Sequence, residues 1–487
     1  VTLDRRAIGV APSFVEADVF RALQLLPGVQ SLNDFSSALY VRGSTPDQNL
    51  IMLDGITVYN PMHLGGIFST FNTDAIKEAD FSAGGFEARY GGRLGSILNI
   101  INREGNTEEI SGNANISLIS SKLLVEGPLP TGKSDLLKGS WMIAGRRTYF
   151  DVIANSAWKY LLKPRLNERD RADASDSIIP YYFYDFQGKV NVDIGSDHRL
   201  TWSSFYGDDV LYWNYKGSSS SDDWYDEGYS DPDNYYYESS ETSLFDWRWG
   251  NFTNSLNWRW IISPRLIAKS SIANSRFRFG VDFNYADEGF SQSDYDSSSW
   301  QSSLGFDLFD RINDHSIETD LTWLMNDDHT ISAGFQRKQV DFNLGMIIGS
   351  EYSADTSREV YLDTLMWMES KPVETAFYLQ DKWSVSPLLS LQTGLRLAHY
   401  SPHNKLYFEP RLGLKRFLND NLSLKASVGR YHQFLTVANP PDENLRFLDI
   451  WFGIPDDRKA PRSDHYILGL EYMTDSDYLF RAETYYK

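Results

Sequence analysis

From about residue 108 onward the chain is written with a period of two, which constrains its fold more than any other feature. Leu389, Leu391, Leu395 and Leu397 alternate with Ser390, Gln392, Gly394 and Arg396; Leu422, Leu424, Ala426 and Val428 alternate with Ser423, Lys425, Ser427 and Gly429. Successive side chains of a strand point to opposite faces, so each run builds one apolar and one polar face. Leu256/Trp258/Trp260, Ile331/Ala333/Phe335, Leu412/Leu414 and Tyr466/Leu468/Leu470/Tyr472 repeat the pattern, whereas Leu266 to Phe279 alternates poorly. The periodicity predicts about fourteen strands.

The connections between these runs are of two kinds. Short ones with turn chemistry, at Gly195-Ser196-Asp197, Ser263-Pro264, Asn326-Asp327-Asp328, Ser386-Pro387 and Asn419-Asp420, interleave with long polar ones near 148–182, 214–242, 285–302, 347–370 and 432–462. Turns at one end and loops at the other is the asymmetry of outer-membrane barrels, where only closure satisfies every backbone group in lipid. Aromatics reach 15%, with 29 Tyr and 14 Trp, and recur near the ends of alternating segments, where a membrane interface would lie. No apolar run reaches the roughly eighteen residues a spanning helix needs. A net charge of −20 without a basic tract argues against nucleic acid. The absence of cysteine removes disulfides, thiolate metal sites and Cys nucleophiles together.

The first hundred residues read differently, as a small α+β unit. Ser13-Phe14-Val15-Glu16 has the form of a capping box, and Val19, Ala22, Leu23 and Leu26 follow helical spacing until Pro27-Gly28 ends it. Short apolar runs then alternate with turn residues such as Asp54-Gly55. Five elements stand in order: Leu25-Leu26-Pro27-Gly28-Val29, Tyr40-Val41-Arg42-Gly43, Gln48 to Gly55, Val58-Tyr59-Asn60-Pro61, and Ala83-Gly84-Gly85-Phe86-Glu87-Ala88-Arg89-Tyr90-Gly91-Gly92-Arg93. Together they resemble the plug domain of TonB-dependent outer-membrane receptors, in the style of Bacteroidetes-type members. Phe377 to Trp383, Gly394-Leu395-Arg396 and Glu409 to Leu414 are similar to the receptor barrel.

The resemblance implies an all-β transmembrane antiparallel barrel of the 22-stranded type, partial here, with an N-terminal α+β plug domain in its lumen. The expected boundaries are 1–107 for the plug and 108–487 for the barrel. A hundred-residue unit has a radius of gyration of roughly 13 Å, which suits a wide lumen and not an eight-strand one. Because the chain stops within an apparent strand at Tyr485-Tyr486-Lys487, the sheet is expected to be C-terminally incomplete and open. Residues 1–12 do not resemble the family's TonB box, which is expected upstream.

Several motifs compete with this reading. Gly127 to Ser134 satisfies the phosphate-loop pattern, but Pro128 and Pro130 remove amides that would hold phosphate, and a hairpin loop explains the segment better. His399 and His403 straddle Ser401-Pro402, where four residues do not share a face, so no metal and no cofactor are expected. Nucleophile-elbow and zinc-protease patterns are missing, and no enzyme activity is expected. The segments 214–242, 285–302 and 347–370 carry −7, −4 and −4, together −15 of the −20. They form either a negative vestibule for cationic ligands or a solvated outer surface.

The candidate ligand-binding residues are Trp224, Tyr225, Tyr235 and Tyr236 in the first acidic segment, and Tyr59, Asn60, Met62 and His63 in the turn-rich stretch that the resemblance places at the plug apex. Stacking on a ligand by the first group, or ligand contact by the mixed polar and apolar side chains of the second, competes on equal terms with simple loop packing. Arg42 matches the family arginine implied to pair with barrel carboxylates, with Glu409 as candidate partner. Ala83-Gly84 departs from the pattern, since many relatives carry a second arginine there. The implied function is import of a scarce extracellular ligand (siderophore, cobalamin, glycan or peptide) across the bacterial outer membrane, energised by TonB with ExbB and ExbD. Outer-membrane lipid is an implied partner, with room for a surface lipoprotein. The alternative is a non-transporting surface barrel that binds glycan or protein.

Overall fold

The computed structural model describes residues 1–487 except 14–15, 32, 34–35, 131–135, 167–180, 224–234, 294–295, 355–356, 439–448 and 476–477. The N-terminal unit is built on a five-stranded sheet in the order Thr2–Asp4, Ile76–Ser82, Ile97–Asn102, Leu50–Leu53, Ile56–Thr57. Leu50–Leu53 runs parallel to Ile97–Asn102 and turns back at Asp54-Gly55. Both turn residues have positive φ, 51° and 87°, the combination that suits a two-residue hairpin. Helix Val19–Gln24 buries Val19, Phe20, Ala22 and Leu23 against this sheet.

That helix starts at Val19 and not at Ser13. Asp18 caps it, its Oδ1 accepting from the amides of Phe20 at 2.8 Å and Arg21 at 3.2 Å, while Oδ2 takes the Ser69 amide at 2.6 Å. Phe14 and Val15 of the expected capping box lie outside the described residues, and Glu16 serves another purpose given below. A short helix, Arg5–Val10, capped by Asp4, was not anticipated.

The remainder is one antiparallel sheet of 16 strands from Ser111–Ile116 to Leu479–Tyr486. Sequential strands neighbour one another except at Ser357–Ser370 and Val373–Ser386, which pair with the upper and lower halves of His329–Ala354. Among the described residues the two outermost strands are each paired on one side. The sheet wraps the N-terminal unit. Plug side chains or backbone bond to strands early in the path through Lys122 and Arg146, midway through Ser275 and Lys338, and at its far end through His465 and Glu483.

The expected short turns all fall at one end of the sheet, while the acidic segments are mostly strand, correcting their reading as loops. Strands His198–Asp223, Tyr235–Ser263, Leu266–Gln292, Ser297–Leu324 and His329–Ala354 run for 26 to 29 residues. At about 3.3 Å per residue they reach roughly 90 Å, far beyond the 9–11 residues that cross a bilayer.

The alternation changes phase along these strands. On Leu266–Gln292, exposed Ile272 shares the lipid face with Ala268, while Lys269 and Ser275 face the lumen; past residue 275, Phe277, Phe279 and Val281 face the lumen and Arg276, Arg278 and Asp282 face outward. Tyr235–Ser263, Ser297–Leu324 and His329–Ala354 invert at a similar height. Their outer faces pass from Trp258, Leu256 to Arg248, from Trp323, Ile317 to Arg311, and from Ile331, Phe335 to Arg337, Asp341. Below the inversion the wall is apolar outside and polar inside, the reverse of a water-soluble protein. Exposed Trp202, Trp258, Trp260, Trp323 and Trp383 ring the turn end. About ten residues separate that aromatic girdle from the arginines, the length of a spanning strand.

Candidate plug apex and vestibule

The plug–wall interface is built from charged side chains on the inward register of the strands. Tyr181–Ile194 buries Tyr181, Phe183, Asp185, Gln187, Lys189 and Asn191 on its lumen side. Burying such groups is costly unless each finds a partner, and the plug supplies them. His63, 1% exposed, bonds through Nε2 to Asp185 at 2.8 Å and through Nδ1 to Asp209 at 2.5 Å. Asp185 is also held by Arg146 at 2.6 Å, and Arg146 donates to the Ser69 carbonyl at 2.9 Å. Phe183 stacks on the imidazole with centroids 4.0 Å apart. Burial pulls the His63 pKa down, but the flanking carboxylates outweigh it and raise it to about 9; the ring is therefore an imidazolium at neutral pH.

Glu16 forms a second anchor. Its carboxylate meets Lys122 at 2.9 Å and Arg146 at 3.9 Å and accepts from Ser117 at 2.7 Å and from Ser120. Burial pushes this carboxyl up, yet Lys122 and Arg146 hold it below the usual carboxylate range. Asp54, at the tip of the plug hairpin, takes Lys189 at 2.8 Å and Ser203 at 2.5 Å.

Arg42 pairs with Glu483 on Leu479–Tyr486 and lies over the Tyr485 ring; it does not meet Glu409, which corrects the expected pair. Glu409 is fully buried on Lys405–Phe417, where it accepts from Arg411 at 2.9 Å and from the His432 amide at 3.0 Å, with Arg396 at 3.9 Å. Those arginines reach the plug backbone: Arg396 donates to the Arg89 carbonyl at 3.1 Å, and Arg411 to the Phe86 carbonyl at 3.3 Å and to that of Glu87. Glu409 thus touches the plug through the arginines it positions.

The apex residues turn toward the wall. Tyr59, 1% exposed, donates to Asp314 at 2.8 Å and packs edge-on against Trp451, and the Asn60 carbonyl accepts from Asn251 at 3.2 Å. Met62 is half-buried beside a small pocket under Trp451 and Val437. Tyr59 and His63 are therefore wall contacts and not an open ligand surface, a correction to their candidacy. Tyr236 stands high on its hairpin, half against Phe290 and donating to Glu238 at 2.8 Å. Trp224, Tyr225 and the Tyr235 side chain lie outside the described residues, as do residues 131–134 of the Gly127–Ser134 segment. His399 and His403 turn to different partners, Asn404 and Tyr407.

Above the apex the inverted strands line the lumen with apolar groups. Tyr59 and Phe68 from the plug join Phe183, Trp249, Phe277, Phe279, Phe342 and Leu344 from the wall and Leu435, Val437 and Trp451 from the connection folded inward over the apex. Trp247 and Phe245 continue this surface upward, with Trp247 5.1 Å from Trp249. Below it, a polar cavity of about 340 Å³ lies between plug and wall, lined among others by Arg89, Lys189, Lys269, Glu318 and Arg396. A charge placed in the inward register of an apolar-out strand was the available sequence signal for Asp185, Lys189, Asp209 and Arg146. It became readable only with the facing of each strand known.

Residues 14–96 match the TonB-dependent receptor plug domain, and residues 182–487 match the TonB-dependent receptor-like beta-barrel. No match emerges among curated proteins. Among solved structures, the RagAB peptide importer in its closed-closed state aligns over all of this chain and 67% of its own, at 10% identity and a TM-score of 0.55. The outer membrane transporter YddB from Escherichia coli aligns over 96% of this chain and 66% of its own, at 13% identity and a TM-score of 0.45. The alcaligin outer membrane receptor FauA from Bordetella pertussis aligns over 96% and 77%, at 12% identity and 0.40. This chain thus spans about two thirds of the length of the first two. With family matches that cover the plug and most of the wall, the chain belongs to the TonB-dependent receptors.

Proposed function

We propose that the chain forms the plug and surrounding wall of an outer-membrane importer that receives an extracellular ligand in the apolar vestibule and passes it inward when TonB, with ExbB and ExbD, displaces the plug. The observation that supports this most is the contrast between the two surfaces around the plug. Its flanks are held by discrete ion pairs at Glu16, Asp54 and Arg42, and the side of its apex by His63, groups that water can receive once they separate. Its apex instead lies under an aromatic, apolar wall.

Ligand must be held unequally in the docked and displaced states, since equal affinity shifts nothing. An aromatic wall favours ligands with an apolar or aromatic face, which places siderophores and peptides ahead of bare glycans among the candidate classes. Asn60, Met62 and Tyr236 remain the proposed apex and rim contacts. Cells carrying the complete gene, with and without TonB, are to be supplied with labelled ferric siderophores, cobalamin, oligosaccharides and oligopeptides. Accumulation of one class that stops on loss of TonB or of the proton gradient supports import. Binding that survives both losses without accumulation identifies a surface receptor instead.

A further inference from the structure

The import reading leaves unused a row of arginines on the outer wall at the height where the strands change phase. Arg276 and Arg278 stand on Leu266–Gln292 and Arg311 on Ser297–Leu324, with Arg278 directly opposite Arg311 in the register, while Arg337 on His329–Ala354 stands opposite Ile317, six residues along its strand from the partner of Arg311. Like charges facing each other across a ladder oppose pairing, and a chain of net charge −20 has ample acid to avoid it.

Arg278 is met by Asp208. The others have no carboxylate within 4 Å among the described residues: Arg276 lies over Phe252 at 5.6 Å, Arg311 over Phe309 at 4.7 Å, and Arg337 donates to Thr375 at 3.2 Å. Asn274, Asn313 and His315 bridge the space between them through bonds of 2.9 and 3.0 Å. Of the carboxylates on this face, Asp341 accepts from Gln339 at 2.9 Å, Asp246 holds Arg248 at 2.6 Å, and Asp282 stands opposite Asp307 above Arg278. Directly below lie exposed Ile272, Ile317 and Leu321.

We propose that this belt binds the phosphorylated headgroups of the outer lipid leaflet. Apolar side chains below it contact acyl chains, which fixes the headgroup plane at the arginines. Guanidinium forks match phosphate oxygens in pairs. The neutral donors between them supply further bonds, and an anion placed there gives Arg311 the kind of partner that Asp208 gives Arg278. The belt rests on the membrane-barrel reading but not on any ligand or on energy coupling.

The test uses the product of the complete gene reconstituted into phosphatidylcholine bilayers containing phosphatidic acid, then released into mild detergent, with retained lipids counted by native mass spectrometry. The wild type is expected to retain phosphatidic acid over phosphatidylcholine by about fivefold relative to the bilayer ratio. R276Q/R311Q/R337Q is expected to fall to near parity, while R358Q/R416Q/R458Q, which removes three exposed arginines elsewhere, keeps the preference. If the triple variant loses its β signal in circular dichroism, the single variants R276Q, R311Q and R337Q take its place, each expected to lose part of the preference. Unchanged selectivity in the folded belt variants overturns the proposal, as does displacement of the lipid by millimolar inorganic phosphate. A wild type that enters bilayers without headgroup preference overturns this inference alone. A wild type that does not enter them overturns the membrane reading as well.

Discussion

His63 shows how one side chain can hold a plug. Its imidazolium sits between Asp185 and Asp209, so its removal leaves two buried carboxylates without their shared cation. Breaking a buried pair in this way costs about 3–5 kcal/mol, and His63→Ala is expected to raise hydrogen exchange of the apex amides by about a hundredfold to a few thousandfold. The pH dependence follows from the direction of the shift. A pKa raised from 6.5 to about 9 on docking means that the contribution is complete below pH 6.5 and lost as pH rises through 9. Glu16, whose carboxyl is lowered, acts on the other side, with a contribution present above pH 4.5 and lost on acidification. Apex protection against pH should therefore form a plateau, with the alkaline fall absent in His63→Ala and the acid fall reduced in Glu16→Gln. A profile unchanged by either substitution contradicts the assignment.

At the scale of elements, the phase inversion explains both what could be read in the sequence and what could not. Leu389–Tyr400 and Leu422–His432 keep one phase throughout their membrane stretch, and the short turns are marked by Asn, Asp, Gly and Pro, so both were legible. Leu266–Gln292 appeared irregular because its apolar face passes from lipid to lumen at about residue 275, and a single-phase pattern cannot follow that change. The same inversion disguised the upper hairpins as polar loops, which concealed the vestibule wall. Its Phe245 and Trp247 are expected to contact ligand, so F245A/W247A should weaken binding about tenfold while leaving apex hydrogen exchange unchanged; a parallel change in exchange would make them packing residues only. Gly105 marks the passage from plug to wall. It has φ +91°, and a Cβ there would come within 2.4 Å of the Trp141 carbonyl oxygen. Gly105→Ala should lower the melting temperature through about 1–3 kcal/mol of backbone strain, and an unchanged melting curve would show the passage to be freely adjustable.

At the scale of the whole molecule, the proposed import requires a plug that is enclosed by the wall and yet moves within it. The family motifs of the plug were legible as an ordered set, whereas its partners were not: Arg42 meets Glu483, a residue far along the chain that only the register brings near. Because the chain has no cysteine, one introduced pair can interrogate that enclosure. Ala88 on the plug and Gly394 on Leu389–Tyr400 are suited to it, since a Cβ at 394 lies 3.0 Å from the Ala88 Cβ, slightly inside normal disulfide separation. The decisive measurement is energised ligand uptake by cells carrying A88C/G394C, before and after reduction. Oxidation is expected to join plug to wall and stop uptake without abolishing binding, and reduction to restore uptake. Undiminished uptake with the pair fully oxidised, or failure of the pair to join at all, would contradict the proposed import.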